Sequence, residues 1–256
     1  MPWSSIKVTQ AGPYSHVLNL PKALKYDEPN EHRITRFPRG LAEALKGPDP
    51  SNGLRAKRTI KYLLQANMHQ YGSSVPQFLT VTFRENKTDL SEANYELKKF
   101  LKKLNYHYVP TNGLKYLAVP EKQKRGSWHY HLVLFNLPYV GDLYRTTRIL
   151  WGHGSIDYQR ISDTQGAIRY IAKYISKRRN RIGERKSYFT SRGLLKPTIA
   201  RTEEAEQIAS CGKLLYEKAF TNEKHPRRST RYRCYIVSTN HGSNINSQSG
   251  TSELGE

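Results

Sequence analysis

The chain has 256 residues, 42 Lys and Arg against 21 Asp and Glu, a formal charge of +21 and a pI near 9.9. Charge this far from zero points to a polyanionic partner, nucleic acid first and an anionic membrane surface second. The membrane is disfavoured: no apolar run approaches the roughly 20 residues that span a bilayer, no amphipathic basic helix stands out, and Met1 to Ser5 shows no charged-then-apolar leader. Cys211 and Cys234 are the only cysteines; far apart and without metal spacing, they read as reduced core residues of a cytosolic protein. The 18 tyrosines suit base stacking and phosphate hydrogen bonds in so basic a chain.

Residues 1–53 are poorly patterned. Pro, Gly, Asn and Asp recur, as in Gly47-Pro48-Asp49-Pro50-Ser51-Asn52-Gly53, so irregular structure or an extension of low order is expected, made basic by Arg33, Arg36 and Arg39. From Leu54 to Met68 an apolar stripe (Leu54, Ala56, Ile60, Leu63, Leu64, Met68) predicts a helix. Phe78 to Phe83 predicts a strand, with Phe78, Thr80 and Thr82 on one face. Asp89 and Glu92 form a capping box for a helix whose stripe is Ala93, Leu97, Phe100, Leu101 and Leu104, with Lys98, Lys99, Lys102 and Lys103 turned to water or phosphate. Leu114 to Val119 and Trp128 to Phe135 read as a hairpin around the basic turn Lys122-Gln123-Lys124-Arg125-Gly126. A helix over Leu143–Trp151, a sharp turn at Gly152-His153-Gly154 and a short strand over Ser155–Tyr158 follow.

Asp163 or Thr164 caps the next helix, which runs through Ala167 to Lys177 into the very basic segment Arg178, Arg179, Arg181, Arg185 and Lys186. A further helix is expected over Glu203 to Ala219, with Ile208, Leu214 and Leu215 on its apolar side, then a last strand over Tyr232 to Val237. Thr239 to Glu256 is mostly Ser, Asn and Gly and is expected to be disordered. The chain thus divides into an extension (1–53), a domain (54–238) and a tail (239–256). The element order predicts an α+β fold, a ferredoxin-like split β-α-β with an antiparallel sheet, one face carrying helices and the other open.

His129 and His131 share one face of their strand, about 7 Å apart, and Glu121 can lie across the hairpin from either. Two imidazoles and a carboxylate with open positions suit Mg²⁺ or Mn²⁺ acting on a phosphodiester. Tyr170 and Tyr174, one helical turn apart, are candidate nucleophiles. A phenol has an ordinary pKa near 10, so it needs a cation beside it to attack at neutral pH, and the metal, Lys173 or Lys177 can supply one. Lys122, Lys124 and Arg125, in the loop before the histidine strand, are placed near the scissile strand, and Lys173, Arg178 and Arg179 extend the DNA-binding set. His153 lies on another element and reads as structural or DNA-facing. No G-x-x-x-x-G-K-[ST] occurs, so a P-loop helicase or NTPase is not expected, and any unwinding the chain's function needs would fall to a helicase in trans.

His129-Tyr130-His131 resembles the His-hydrophobic-His motif of the HUH endonucleases. Tyr170-Ile171-Ala172-Lys173-Tyr174-Ile175-Ser176-Lys177 resembles the Tyr-x-x-x-Tyr-x-x-Lys motif of their two-tyrosine replication initiators. Phe78 to Phe83 is similar to the superfamily's first motif, Glu121 stands where microvirus initiators carry an acidic residue, and Trp151-Gly152-His153-Gly154 is similar to a turn in the same proteins. The resemblance covers roughly residues 54 to 178, and more weakly Ser191-Arg192-Gly193-Leu194. It implies a rolling-circle initiator of a plasmid or phage that nicks single-stranded or extruded origin DNA, stays bound through tyrosine, leaves a free 3′-OH for a host polymerase, and rejoins the ends. It further implies alternating tyrosines, a helper role for Lys177, a metal and no small-molecule cofactor, and the cytoplasm of a bacterial host. A mobilisation relaxase or transposase of the same superfamily is the nearest alternative, but relaxases usually place the tyrosine before the histidines. A non-catalytic single-stranded nucleic-acid-binding module is the alternative from another class.

Overall fold

A computed structural model describes residues 3–25, 50–72, 74, 76–138, 142–161, 163–175, 188–222 and 225–237. In chain order the elements are β1 (Trp3–Ala11), β2 (Tyr14–Lys25), α1 (Pro50–Asn67), β3 (Gln77–Thr82), α2 (Leu90–Tyr108), β4 (Tyr116–Lys122), β5 (Trp128–Leu134), α3 (Leu143–Trp151), β6 (Ile156–Arg160), α4 (Thr164–Ile175), β7 (Phe189–Thr190), β8 (Thr198–Ala200), α5 (Glu203–Ser210), β9 (Lys213–Asn222) and β10 (His225–Ile236). The fold is α+β, with two five-stranded sheets, β6-β3-β5-β4-β7 and β8-β1-β2-β10-β9, every neighbouring pair antiparallel.

The first sheet has the expected split β-α-β connectivity. β3 and β4 flank β5, α2 makes the crossover between them, and β6 adds to the free side of β3 after α3. Local chemistry sets these elements. The Asp89 side chain caps α2 by accepting from the Glu92 N–H at 2.7 Å. Asp163 takes the Gln165 and Gly166 N–H groups at the start of α4, at 2.9 and 2.6 Å. Gly152 ends α3 at φ 66°, a left-handed conformation that glycine adopts without penalty, and its N–H returns to Arg148 O.

Alternation along β5 divides the core. Tyr130, Leu132 and Leu134 pack with Leu79, Val81 and the buried stripe of α2, joined by Trp151 of α3. Val133 and Phe135 pack with Phe78, Leu117 and Val119 against α1 and α4, through Ile60, Leu64, Ala167 and Ile171. This corrects the expectation of an open sheet face. The second face is covered by two helices, because its apolar half is as continuous as the first, and only its end at β5's His129 is left for a site.

Three further expectations are corrected. Within residues 1–53, where irregular structure was expected, β1 and β2 form a hairpin turning at Gly12 (φ 59°). Its partner strand β10 comes from the far end of the chain, so the decisive pairing is non-local and leaves no mark in the local pattern. The helix expected over Glu203 to Ala219 stops at Ser210, and Lys213 onward is strand β9, paired along β10. Sheet pairing overrides helical periodicity here, and Gly212 allows the turn by seating where a Cβ would come within 2.7 Å of Ile236 O. Cys234 is buried, but Cys211 is exposed rather than core, since it stands just past the end of α5. The expected tail, 239–256, lies outside the described residues.

Candidate metal centre in a basic cleft

The hairpin register fixes the site. Glu121 is directly opposite His129, Val119 is opposite His131, and β3 brings Thr80 opposite His131 and Thr82 opposite His129. Directly opposed residues share a face, so Glu121, His129 and His131 converge. His129 Nε2 lies 2.5 Å and His131 Nε2 lies 2.8 Å from the same oxygen, Glu121 Oε2. The three side chains are 12%, 3% and 6% exposed for His129, His131 and Glu121. The other nitrogens are held too: Gln123 Nε2 lies 3.3 Å from His129 Nδ1 and Thr80 Oγ1 lies 3.1 Å from His131 Nδ1. Arg125 Nε in turn donates to Gln123 Oε1, and its Nη2 to Phe83 O. Both imidazoles are thereby turned with Nε2 inward.

A Glu/His/His group of this kind can bind a metal ion: one ligand atom from each residue lies within 4.8 Å of the others. The donor set fits. Two imidazole nitrogens and one carboxylate oxygen are ordinary ligands for a divalent cation. The two N···O separations approach the ~3 Å edge of an octahedron with bonds of about 2.1 Å. Three ligands leave positions open for water or substrate.

The site opens into a cleft of about 980 Å³ lined by Glu121 and His129, by the cations Arg84, Lys122, Lys124, Arg125 and Arg148, and by Thr82, Gly154 and Ser155. Among the lining residues Glu121 is the sole acid, so the potential at the metal site is positive and suits a phosphodiester backbone. The far wall is held by backbone contacts. Thr82 N–H donates to Ser155 O, Arg84 N–H to His153 O, and Trp151 Nε1 to Thr82 O. A Cβ on Gly154 would lie 2.7 Å from Arg84 N and closer still to Thr82 O, so glycine is required for this approach. His153 is not a ligand; its Nε2 pairs with Glu96 at 3.0 Å.

The candidate residues distribute as follows. Lys122, Lys124 and Arg125 line the cleft. Tyr170, on α4, stands beside the Glu/His/His group without lining the cleft: its ring is edge-on to Phe78, centroids 4.4 Å apart, and 6.4 Å from the His131 ring. Lys173 and Tyr174 fall in α4 one turn or less beyond Tyr170, in the stretch of the helix described as backbone. Lys177, Arg178 and Arg179 lie outside the described residues. Sequence reasoning missed Thr80, Gln123, Arg84 and Arg148. Thr80 shares the face of Phe78 in the strand pattern, which was a usable signal, and Arg84 directly follows that strand. Arg148 on α3 carries no local mark of its destination.

Residues 76–179 match the family of the replication-associated protein ORF2/G2P. The chain is also similar to the Phasyl DNA replicon protein arp of Escherichia coli, 27% identical over 152 residues, half of this chain. It spans about half the length of that relative, 52%. No solved structure matches. Among the described residues no helix is long and apolar enough to cross a membrane. The matched stretch contains β3 to α4, and hence Glu121, His129, His131 and Tyr170. Both similarities are to proteins named for replication.

Proposed function

We propose that the chain is a rolling-circle replication initiator of the HUH type, which nicks and rejoins single-stranded origin DNA through a phosphotyrosine bond. The observation that carries this reading is the convergence of Glu121, His129 and His131, two of which line a basic cleft, with the Tyr170 ring 6.4 Å from the His131 ring. Glu121, His129 and His131 hold Mg²⁺ or Mn²⁺, which when bound polarises a phosphoryl oxygen and offsets the charge that develops on it. Lys122, Lys124 and Arg125, with Arg84 and Arg148, hold the DNA backbone along the cleft. Lys173, Arg178 and Arg179 continue that hold along α4 and beyond it.

Tyr170 or Tyr174 is the nucleophile. Its phenol oxygen gives up its proton and bonds to phosphorus, the bond from phosphorus to the 3′ oxygen breaks, and that oxygen takes a proton to leave a free 3′-OH. The enzyme is left joined to the 5′ end. Rejoining reverses these steps with an incoming 3′-OH, and the second tyrosine allows one strand to be cut while the other remains held. Lys177 favours the phenolate. A host polymerase extends the 3′ end and a host helicase separates the strands in the bacterial cytoplasm.

The test is cleavage of a single-stranded oligonucleotide spanning the replicon's own origin, with Mn²⁺ or with chelator. The expected product appears only with metal and is extended by a polymerase, which requires a 3′-OH. Cleavage that persists in chelator, or a product that no polymerase extends, contradicts the proposal.

A further inference from the structure

We propose that the outer face of α2 is a second track for single-stranded DNA, separate from the cleft; this rests on the reading of the chain as a protein that handles origin DNA. The inner stripe of α2 packs with Tyr130, Leu132 and Leu134, on the side of β5 opposite His129 and His131. The outer face therefore looks away from the metal centre. It borders a groove of about 410 Å³ lined by Tyr95, Lys98, Lys99, Lys102, Asn105 and Tyr116, and no acidic residue lines it.

Charge and aromatic placement select the occupant. Lys98 and Lys102, and likewise Lys99 and Lys103, stand at i and i+4, where like charges repel and weaken the helix. The nearby acid, Glu96, is already shared between Lys99 at 3.3 Å and His153 at 3.0 Å. An anion laid along the face relieves that repulsion. Lys98 and Lys102 are separated by one turn, roughly 6 Å along the axis, so they offer a row of charge to successive phosphates. Tyr95 and Tyr106 flank the lysines and are 60% and 82% exposed. Lys99 Nζ stands 5.2 Å from the Tyr95 ring centroid. Exposed rings interleaved with lysines suit a strand whose bases are free to stack, whereas a duplex keeps its base faces inside. A strand that occupies cleft and track together must be longer than one that fills the cleft alone.

The experiment uses the full chain, wild type beside the double variants Lys98→Ala/Lys102→Ala and Tyr95→Ala/Tyr106→Ala. All four side chains are exposed, and a circular-dichroism melt checks that each variant folds. Binding of labelled oligo-dT of about 8 and about 30 nucleotides is followed by anisotropy across salt concentrations, the short one being sized for a single site. On the long strand the lysine variant is expected to lower the slope of log K against log salt by about 1.4, which is about 0.7 for each phosphate that a lysine no longer neutralises. The tyrosine variant is expected to bind about tenfold or more weakly. Both effects are expected to be smaller on the short strand, which the cleft alone can hold. Unchanged slope and affinity on the long strand overturn the proposal, as does a loss confined to duplex DNA. Nicking of a short origin oligonucleotide is measured alongside. Its absence in wild type and variants alike counts against the nickase, while the slope still decides the track.

Discussion

One oxygen of Glu121 faces two imidazole nitrogens, and each ring's other nitrogen is occupied by a neutral side chain. Partners of this kind set ring orientation, and their loss weakens metal binding without removing a ligand. Thr80→Val keeps the shape of the Thr80 side chain and removes the hydroxyl. It is expected to weaken Mn²⁺ binding by about 10- to 100-fold in calorimetric titration, with the melting temperature little changed. His131→Ala removes a ligand outright and should abolish measurable binding; an unchanged isotherm for His131→Ala rules out the Glu/His/His centre. The convergence of Glu121, His129 and His131 was legible in the sequence. Strand alternation put both histidines on one face, and the hairpin put Glu121 across from them. Thr80, Gln123 and Arg148 were not, because their roles follow from which strands pair and where a helix lands, and local patterns do not carry that information.

At the scale of elements, two joints hold the site's surroundings. The first is the seat of the α3–β6 turn on the end of β3, where Gly154 lies against the backbone at Thr82 and Arg84. Gly154→Ala must displace that backbone and is expected to destabilise the fold by about 1–3 kcal/mol, read as a lower denaturant midpoint with unchanged slope. The second is the seam between α1 and the second sheet. His16 of β2 is buried, its Nε2 facing Gln65 Oε1 of α1 and its Nδ1 facing the Tyr232 hydroxyl of β10, both at 2.8 Å. Lys61 donates to the same hydroxyl at 3.0 Å. Burial, with the Lys61 charge beside it, lowers the His16 pKa to about 4 from an ordinary 6.5. The unfolded chain therefore takes up this proton first as pH falls. The stability due to neutral His16 is full above pH 6.5 and drains away between about 6.5 and 4, by an amount on the order of 3 kcal/mol. Urea midpoints of the wild type should fall over this window, and His16→Gln should flatten the fall. Equal pH dependence in the two proteins would show that His16 does not control the seam. This seam escaped the sequence reading, since it joins residues 16, 65 and 232, which no local pattern connects.

Across the whole molecule, the formal charge of +21 and the five cations of the cleft make the proposed hold on DNA largely electrostatic. Engagement of some six phosphates of a single strand predicts a loss of about 300-fold in affinity between 50 and 200 mM salt, and a filter-binding series checks it. The connectivity of the first sheet was readable because each of its elements is locally amphipathic and follows its neighbour in the chain. The second sheet was not, because it is assembled from both ends of the chain around β10. The central claim, covalent nicking by tyrosine at a metal centre, is tested most directly by one denaturing gel. Wild type, Tyr170→Phe, Tyr174→Phe and the double variant are incubated with single-stranded origin DNA and Mn²⁺. The account predicts a protein–DNA band that needs metal, survives in at least one single variant, and disappears in the double variant. A band that persists in the double variant, or no band on any origin strand despite tight, salt-sensitive binding, would contradict it.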